Sequence, residues 1–228
     1  MKKLSLTLAL VAGIALLPAV ANASPINLEI AYSINGGALT TIATGTGSAG
    51  VSGTFSGWTI NGSTAVTSSP LTAPSGLYFN ELTASCTSGG CGTLQLFASS
   101  TGYTGTAALN EGFTYQGVAA SGASATQTAY WDGSNAFFGT ANSLGSALVL
   151  TQGTPTASSV NLQGGAPSGT YSLTIEQSFT VPAASYQYDT SGSVNSVPEP
   201  ASLALLGTGL LGLGLVFKRR LTGGDELA

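Results

Sequence analysis

Apolar and polar side chains alternate through much of the chain. Ile26, Leu28, Ile30, Tyr32 and Ile34 are separated one by one by Asn27, Glu29, Ala31, Ser33 and Asn35. This period of two predicts a half-buried strand, since successive strand side chains point to opposite faces. The pattern returns late in the chain. Tyr171, Leu173, Ile175, Gln177, Phe179 and Val181 fall on one side, and Ser172, Thr174, Glu176, Ser178 and Thr180 on the other. Pro182 ends that run or marks an edge strand. Further strands are predicted over Leu39–Thr44, Val51–Phe55, Trp58–Ile60, Phe113–Ala119, Ala125–Trp131, Leu144–Leu150 and Ala184–Tyr188. The phase slips near Gly57, as at a bulge. Asn35-Gly36-Gly37, Asn61-Gly62 and Asp132-Gly133-Ser134-Asn135 carry turn chemistry. Leu77–Cys86 and Cys91–Ala98 predict a hairpin across Thr87–Gly90. No stretch between Ser24 and Ser196 has helical period. The fold class read from this pattern is all-β, an antiparallel β-sandwich-like ectodomain over residues 24–189. Thr190–Ser196, T-S-G-S-V-N-S, has the composition of a flexible linker.

Two apolar runs break the alternation. Lys2-Lys3 precede Leu4–Leu17, and Ala21-Asn22-Ala23 follows. A charged start, an apolar stretch and a small-x-small site form a secretory signal peptide. Residues 1–23 are expected to be removed by cleavage between Ala23 and Ser24, with Ala21 the other small residue of the site; a retained anchor is the alternative. At the other end Pro198-Glu199-Pro200 leads into Ala201–Phe217, 17 residues without charge, closed by Lys218-Arg219-Arg220. The flanking prolines hold Val197 and Glu199 extended, so a helix starts no earlier than Pro200. A 17-residue helix spans roughly 25 Å, slightly short of a bilayer core of about 30 Å. One transmembrane helix over 201–217 is expected, its cationic end cytoplasmic. Ala204, Thr208 and Gly212 recur every four residues and suit either close helix docking or a generic glycine-rich span.

The order of these parts from Val197 to Arg220 resembles the PEP-CTERM sorting signal of Gram-negative bacteria. The resemblance implies recognition and cleavage by exosortase, a multi-pass membrane transpeptidase-like cysteine protease. Pro198, Glu199 and Pro200 would be its substrate motif, and Lys218, Arg219 and Arg220 the stop. The cytoplasmic tail, Leu221–Ala228, is longer than the family's usual few residues after the arginines. The resemblance further implies a precursor held transiently in the inner membrane with a periplasmic ectodomain. The product would reach the cell surface or medium, in association with exopolysaccharide and biofilm.

Charge narrows the chemistry. Lys and Arg are absent from Leu4 to Phe217, and the chain has no histidine. Nucleic-acid binding, which depends on cationic side chains, is excluded. A Ser-His-Asp or Cys-His arrangement is impossible, and a Ser-Lys pair has no lysine. Metal sites lack imidazole. Glu29, Glu81, Glu111, Asp132, Glu176 and Asp189 are dispersed and form no glycosidase motif. Calcium at Asp132 and Asn135 is weighed against a plain turn, and the turn is preferred. Neither enzyme activity nor a cofactor is expected.

Cys86 and Cys91 form an even pair outside the cytoplasm, which predicts a structural disulfide. Asn61-Gly62-Ser63, the only N-x-S/T sequon that starts beyond residues 1–23, is read as a turn. Candidate carbohydrate-contact residues are Trp58, Tyr130 and Trp131, with Phe137-Phe138 after the neighbouring turn; core packing is the competing use of such rings. The expected function is that of an exported, non-enzymatic surface or matrix protein. The alternative is a carbohydrate-binding module presented at the surface.

Overall fold

The computed structural model describes residues 27–67, 76–86, 91–104, 108–116, 124–151, 156–162, 169–180, 186–197 and 206–213. Among these residues thirteen strands, numbered in chain order, form two antiparallel sheets facing each other. The first sheet runs β10 (Leu148–Thr151), β8 (Ser124–Asp132), β12 (Thr170–Thr180), β6 (Thr93–Thr104), β1 (Asn27–Ile34), β2 (Thr40–Thr46), with β9 (Asn142–Ser143) on β8. The second runs β11 (Thr156–Leu162), β7 (Ala108–Gln116), β13 (Tyr186–Val197), β5 (Gly76–Cys86), β4 (Trp58–Thr67), β3 (Ser48–Phe55).

The alternation gives strands but not a clean split in exposure: Ser172 and Thr174 on the polar side of β12 are buried too, and in β1 Ala31 and Ser33 are buried while Tyr32 and Ile34 are half-buried. Along β12, Tyr171, Leu173, Ile175, Gln177 and Phe179 are buried against the opposite sheet. Trp58, Phe79, Phe113, Phe179 and Tyr188 are the largest fully buried side chains, and Tyr188 lies between Phe179 and Trp58 at ring distances of 5.0 and 6.3 Å. The turn at Asn35-Gly36 is of type I′. Both residues have positive φ (53° and 71°), and the Gly37 N–H bonds the Ile34 carbonyl at 3.0 Å.

Four local expectations are corrected. The slip near Gly57 is not a bulge but a two-residue hairpin turn. Ser56 and Gly57 both have positive φ (49° and 86°), and Phe55 pairs with Trp58. Asn61-Gly62 is not a turn; β4 runs through it, and the irregularity is a register shift against β5 between Asn61 and Ser63. β5 and β6 are not a hairpin. β5 pairs with β4 and β13, and β6 with β1 and β12, so neither has a free edge for the other and the chain crosses between sheets. Finally, Thr190–Ser196 is not a linker but most of β13, hydrogen-bonded on both sides to β5 and β7.

The pairings also orient the molecule. β1 begins where β6 ends (Asn27 opposite Thr101), and β13 ends where β7 begins (Val197 opposite Ala108). β6 and β7 are consecutive, so β1 starts and β13 finishes at one pole of the sandwich. The disulfide lies at the other pole, where Tyr186 pairs with Cys86.

Candidate functional site

The predicted cystine is present: Cys86–Cys91 has an S–S distance of 2.00 Å and Cα atoms 6.1 Å apart. It ties the end of β5 to the chain just before β6, and so staples one sheet to the other. The Trp58 indole N–H donates to the Cys91 carbonyl at 3.2 Å.

This position removes Trp58 from the candidate contact residues. Its side chain is 0% exposed, inside the core beside the disulfide, and is corrected from surface contact to packing. The structure does not bring the three predicted rings together. Trp131 is half-buried at the far end of β8 and packs against the core. Tyr130 points to the outer face of the first sheet, where its hydroxyl donates to Glu176 Oε2 at 3.2 Å. Gln95 Nε2 donates to the other oxygen of Glu176 at 2.9 Å. Burial raises the Tyr130 pKa, with Glu176 adding to the shift.

After Asp132 the chain folds back over this outer face. Ser134 N–H donates to Asp132 Oδ1 at 2.7 Å, and Asn135 N–H to the Asp132 carbonyl at 3.1 Å. Asn135 Oδ1 in turn accepts the Gly102 N–H at 2.8 Å. The Asp132 oxygens thus close the turn that the sequence predicts, and the Asn135 side chain ties that turn to β6. The Phe138 N–H donates to Ser99 Oγ at 2.9 Å, and the Phe138 ring meets Phe97 edge to face at 6.4 Å. Phe137 then stands beside a groove of about 290 Å³ formed with Asn27, Glu29, Thr44 and Thr46 of β1 and β2. The sequence marked Phe137-Phe138 as a pair after a turn, but nothing in it linked them to Glu29, about a hundred residues earlier.

A second polar cluster, unforeseen in the sequence, lies between the sheets. Thr190 Oγ1 donates to Gln177 Oε1 (2.9 Å), Gln177 Nε2 to Gln127 Oε1 (3.0 Å), and Gln127 Nε2 to Glu111 Oε1 and the Gly112 carbonyl (3.0 Å each). Glu111 is 1% exposed and its Oε2 has no hydrogen-bond partner among the described residues. Burial pushes its carboxyl up to about 7, against the lowering effect of the Gln127 bond. The only alternation signal for this ladder was Gln177 on the apolar side of its strand.

At the C-terminal end, β13 runs to Val197 and a helix covers 206–213, whose Leu206, Leu210, Leu211 and Leu213 are exposed. Among the described residues no helix is long and apolar enough to cross a membrane. The expected span 201–217 is described only over 206–213. Pro198, Glu199, Pro200, Lys218, Arg219 and Arg220 lie outside the described residues, as do Ala21, Ala23 and Ser24 of the signal-cleavage site.

The chain matches the PEP-CTERM protein-sorting motif over residues 196–220. No curated protein matches it. Similar solved structures include TmCBM61 in complex with beta-1,4-galactotriose, at 14% identity and a TM-score of 0.30, covering 61% of this chain and 88% of that one. A structure described as showing promiscuous specificity of carbohydrate-binding modules from the beta-sandwich superfamily has 11% identity and a TM-score of 0.33, with 71% and 82% covered. The enzymatically active domain of bacteriophage CBA120 tailspike protein 4 has 10% identity and a TM-score of 0.31, with 59% of this chain and 18% of that one covered.

Proposed function

The chain carries a PEP-CTERM sorting motif, and from this we propose that it is an exported, non-enzymatic surface or extracellular-matrix protein cut by exosortase after transport. The observation that carries the reading is the motif itself, which begins at Ser196 on the last strand of the sandwich. The signal peptide, residues 1–23, sends the chain across the inner membrane. The uncharged run Ala201–Phe217 then holds it there, with Lys218-Arg219-Arg220 on the cytoplasmic side. Both membrane segments attach at the pole where β1 begins and β13 ends, so the precursor hangs from the periplasmic face by one end. Cleavage near Pro198-Glu199-Pro200 frees the sandwich, whose destination is the exopolysaccharide matrix or the cell surface.

Intact mass of the protein from its host, with and without exosortase, tests this. The expected product starts at Ser24 and ends in the Val197–Pro200 region only when exosortase is present. A C-terminus at Ala228 in both strains would refute it. A second reading, a carbohydrate-binding module, is favoured by one observation: the polar groove beside Phe137.

A further inference from the structure

We propose that the groove between Phe137 and the paired strands β1 and β2 is a binding site for an uncharged, hydroxyl-rich sugar unit of a polysaccharide. The proposal rests on the carbohydrate-binding reading and gives it an address and a ligand class.

Three observations carry it. The first is the lining. The groove of about 290 Å³ presents one aromatic ring, one carboxylate (Glu29), one carboxamide (Asn27) and two hydroxyls (Thr44, Thr46). Its size is near the lower end of small-ligand sites, about 300–1,000 Å³. A sugar ring has the complementary chemistry: a face of C–H bonds for the aromatic ring, and hydroxyls that donate to Glu29 and exchange bonds with the amide and threonines. None of these four polar side chains is hydrogen-bonded to another described side chain, so their capacity is open to a ligand.

The second is the way Phe137 is held. Asn135 and Phe138 both adopt left-handed backbone (φ 57° and 56°). For a phenylalanine this conformation costs on the order of 1–3 kcal/mol and persists only where surrounding contacts impose it. Here they do: Gly102 bonds the Asn135 side chain, Ser99 accepts the Phe138 N–H, and the Phe138 ring sits against Phe97. The two adjacent rings stay in contact, with centroids 6.2 Å apart, but serve different ends. Phe138 is used to anchor the segment, and Phe137 is left half-exposed at the groove mouth. A fixed ring loses little freedom when a ligand stacks on it.

The third is charge. No lysine or arginine occurs between Leu4 and Phe217. A uronate, sulfate or phosphate would meet Glu29 with no cation to offset the repulsion. The site therefore selects neutral sugars over acidic ones.

The test is titration calorimetry of the host-processed protein with dextran, galactan, glucomannan, alginate and chitosan. At least one of the three neutral polymers is expected to bind with a Kd below about 1 mM, and alginate not at all. Phe137→Ala is expected to weaken that binding by about tenfold or more, Phe137→Trp to retain it, and Glu29→Gln to weaken it several-fold. Near-ultraviolet circular dichroism checks each variant's fold. If Phe137→Ala proves unfolded, Glu29→Gln and Thr44→Val decide. Absence of binding to all three neutral polymers overturns the proposal. So does unchanged affinity in folded Phe137→Ala and Glu29→Gln, or equal binding of alginate. Chitosan binding alone, abolished by Glu29→Gln, would also overturn it and make the site one for cations. The mass measurement on the processed termini stands or falls separately, so failure of the groove leaves the sorting reading untouched.

Discussion

Glu111 sits between two sheets in a domain that has no cation to pair with it. A buried carboxylate without a counter-charge is costly, so the group stays protonated to a higher pH than usual. Its pKa of about 7, against 4.5 for the free side chain, sets the sign of a pH effect. Above 4.5 the unfolded chain ionises while the folded one keeps its proton, so stability falls as pH rises. The loss is complete once pH passes the folded value near 7. The contribution present below pH 4.5 and absent above 7 is on the order of 2–3 kcal/mol. We predict a melting temperature about 5–10 °C lower at pH 8 than at pH 5, and a nearly flat profile for Glu111→Gln. Calorimetric melting across that range checks it; an equal slope in the variant would assign the effect elsewhere. Trp58 gives the opposite lesson at the same scale. Its indole fills core volume and donates to Cys91, so Trp58→Ala should cost about 3–5 kcal/mol, read from urea unfolding, whatever it does to glycan binding.

β13 is the element that composition misrepresents. A stretch of Thr, Ser, Gly and Asn looks like solvated linker when each residue is taken alone. In the sheet the same small side chains have specific duties. Thr190 ends the glutamine ladder, Val194 fills the core, and Gly192 leaves the space the ladder occupies: a Cβ there would lie 2.0 Å from Gln127 Oε1 and 2.6 Å from Gln177 Nε2. Gly192→Ala should therefore destabilise the domain by about 2–4 kcal/mol, through overpacking and a broken amide ladder. Denaturant unfolding measures this; a change within about 0.5 kcal/mol is what a linker position would give. The disulfide belongs to the same scale. It closes a short loop, with a sequence separation of 5, so Cys86→Ser with Cys91→Ser should cost only about 2 kcal/mol and leave the fold intact.

For the whole molecule, the arrangement of ends matters most. β1 starts and β13 stops at one pole, the disulfide staples the other, and the sorting motif overlaps the last two residues of β13. The folded body thus ends where the sorting motif begins. The missing cations give a whole-molecule prediction. Trypsin should leave the correctly processed protein uncut even after denaturation, since Lys and Arg occur only at positions 2, 3 and 218–220. Fragments on a denaturing gel would show that processing occurs elsewhere. The Phe137 groove, lined by Asn27 and Thr46, lies near the pole where β1 begins and β13 ends.

The sequence by itself determined the local and the chemical. Period-two alternation specified strands because side chains on a strand must take opposite faces. Asn-Gly at positions 35–36 specified a type I′ turn because its backbone needs positive φ. The absence of histidine, and of lysine and arginine between Leu4 and Phe217, argued against whole classes of chemistry, and the sorting motif was contiguous and so readable. Only the tertiary structure decided which strands pair. β5 and β6 are neighbours in sequence but lie in different sheets, because pairing is won by non-local edges that leave no trace in local pattern. For the same reason it alone put Trp58 inside, turned residues 190–196 from expected linker into strand, joined Glu111 to Gln127 and Gln177, and set Glu29 beside Phe137. Each depends on two distant segments meeting, and contact of that kind is a property of the packed fold.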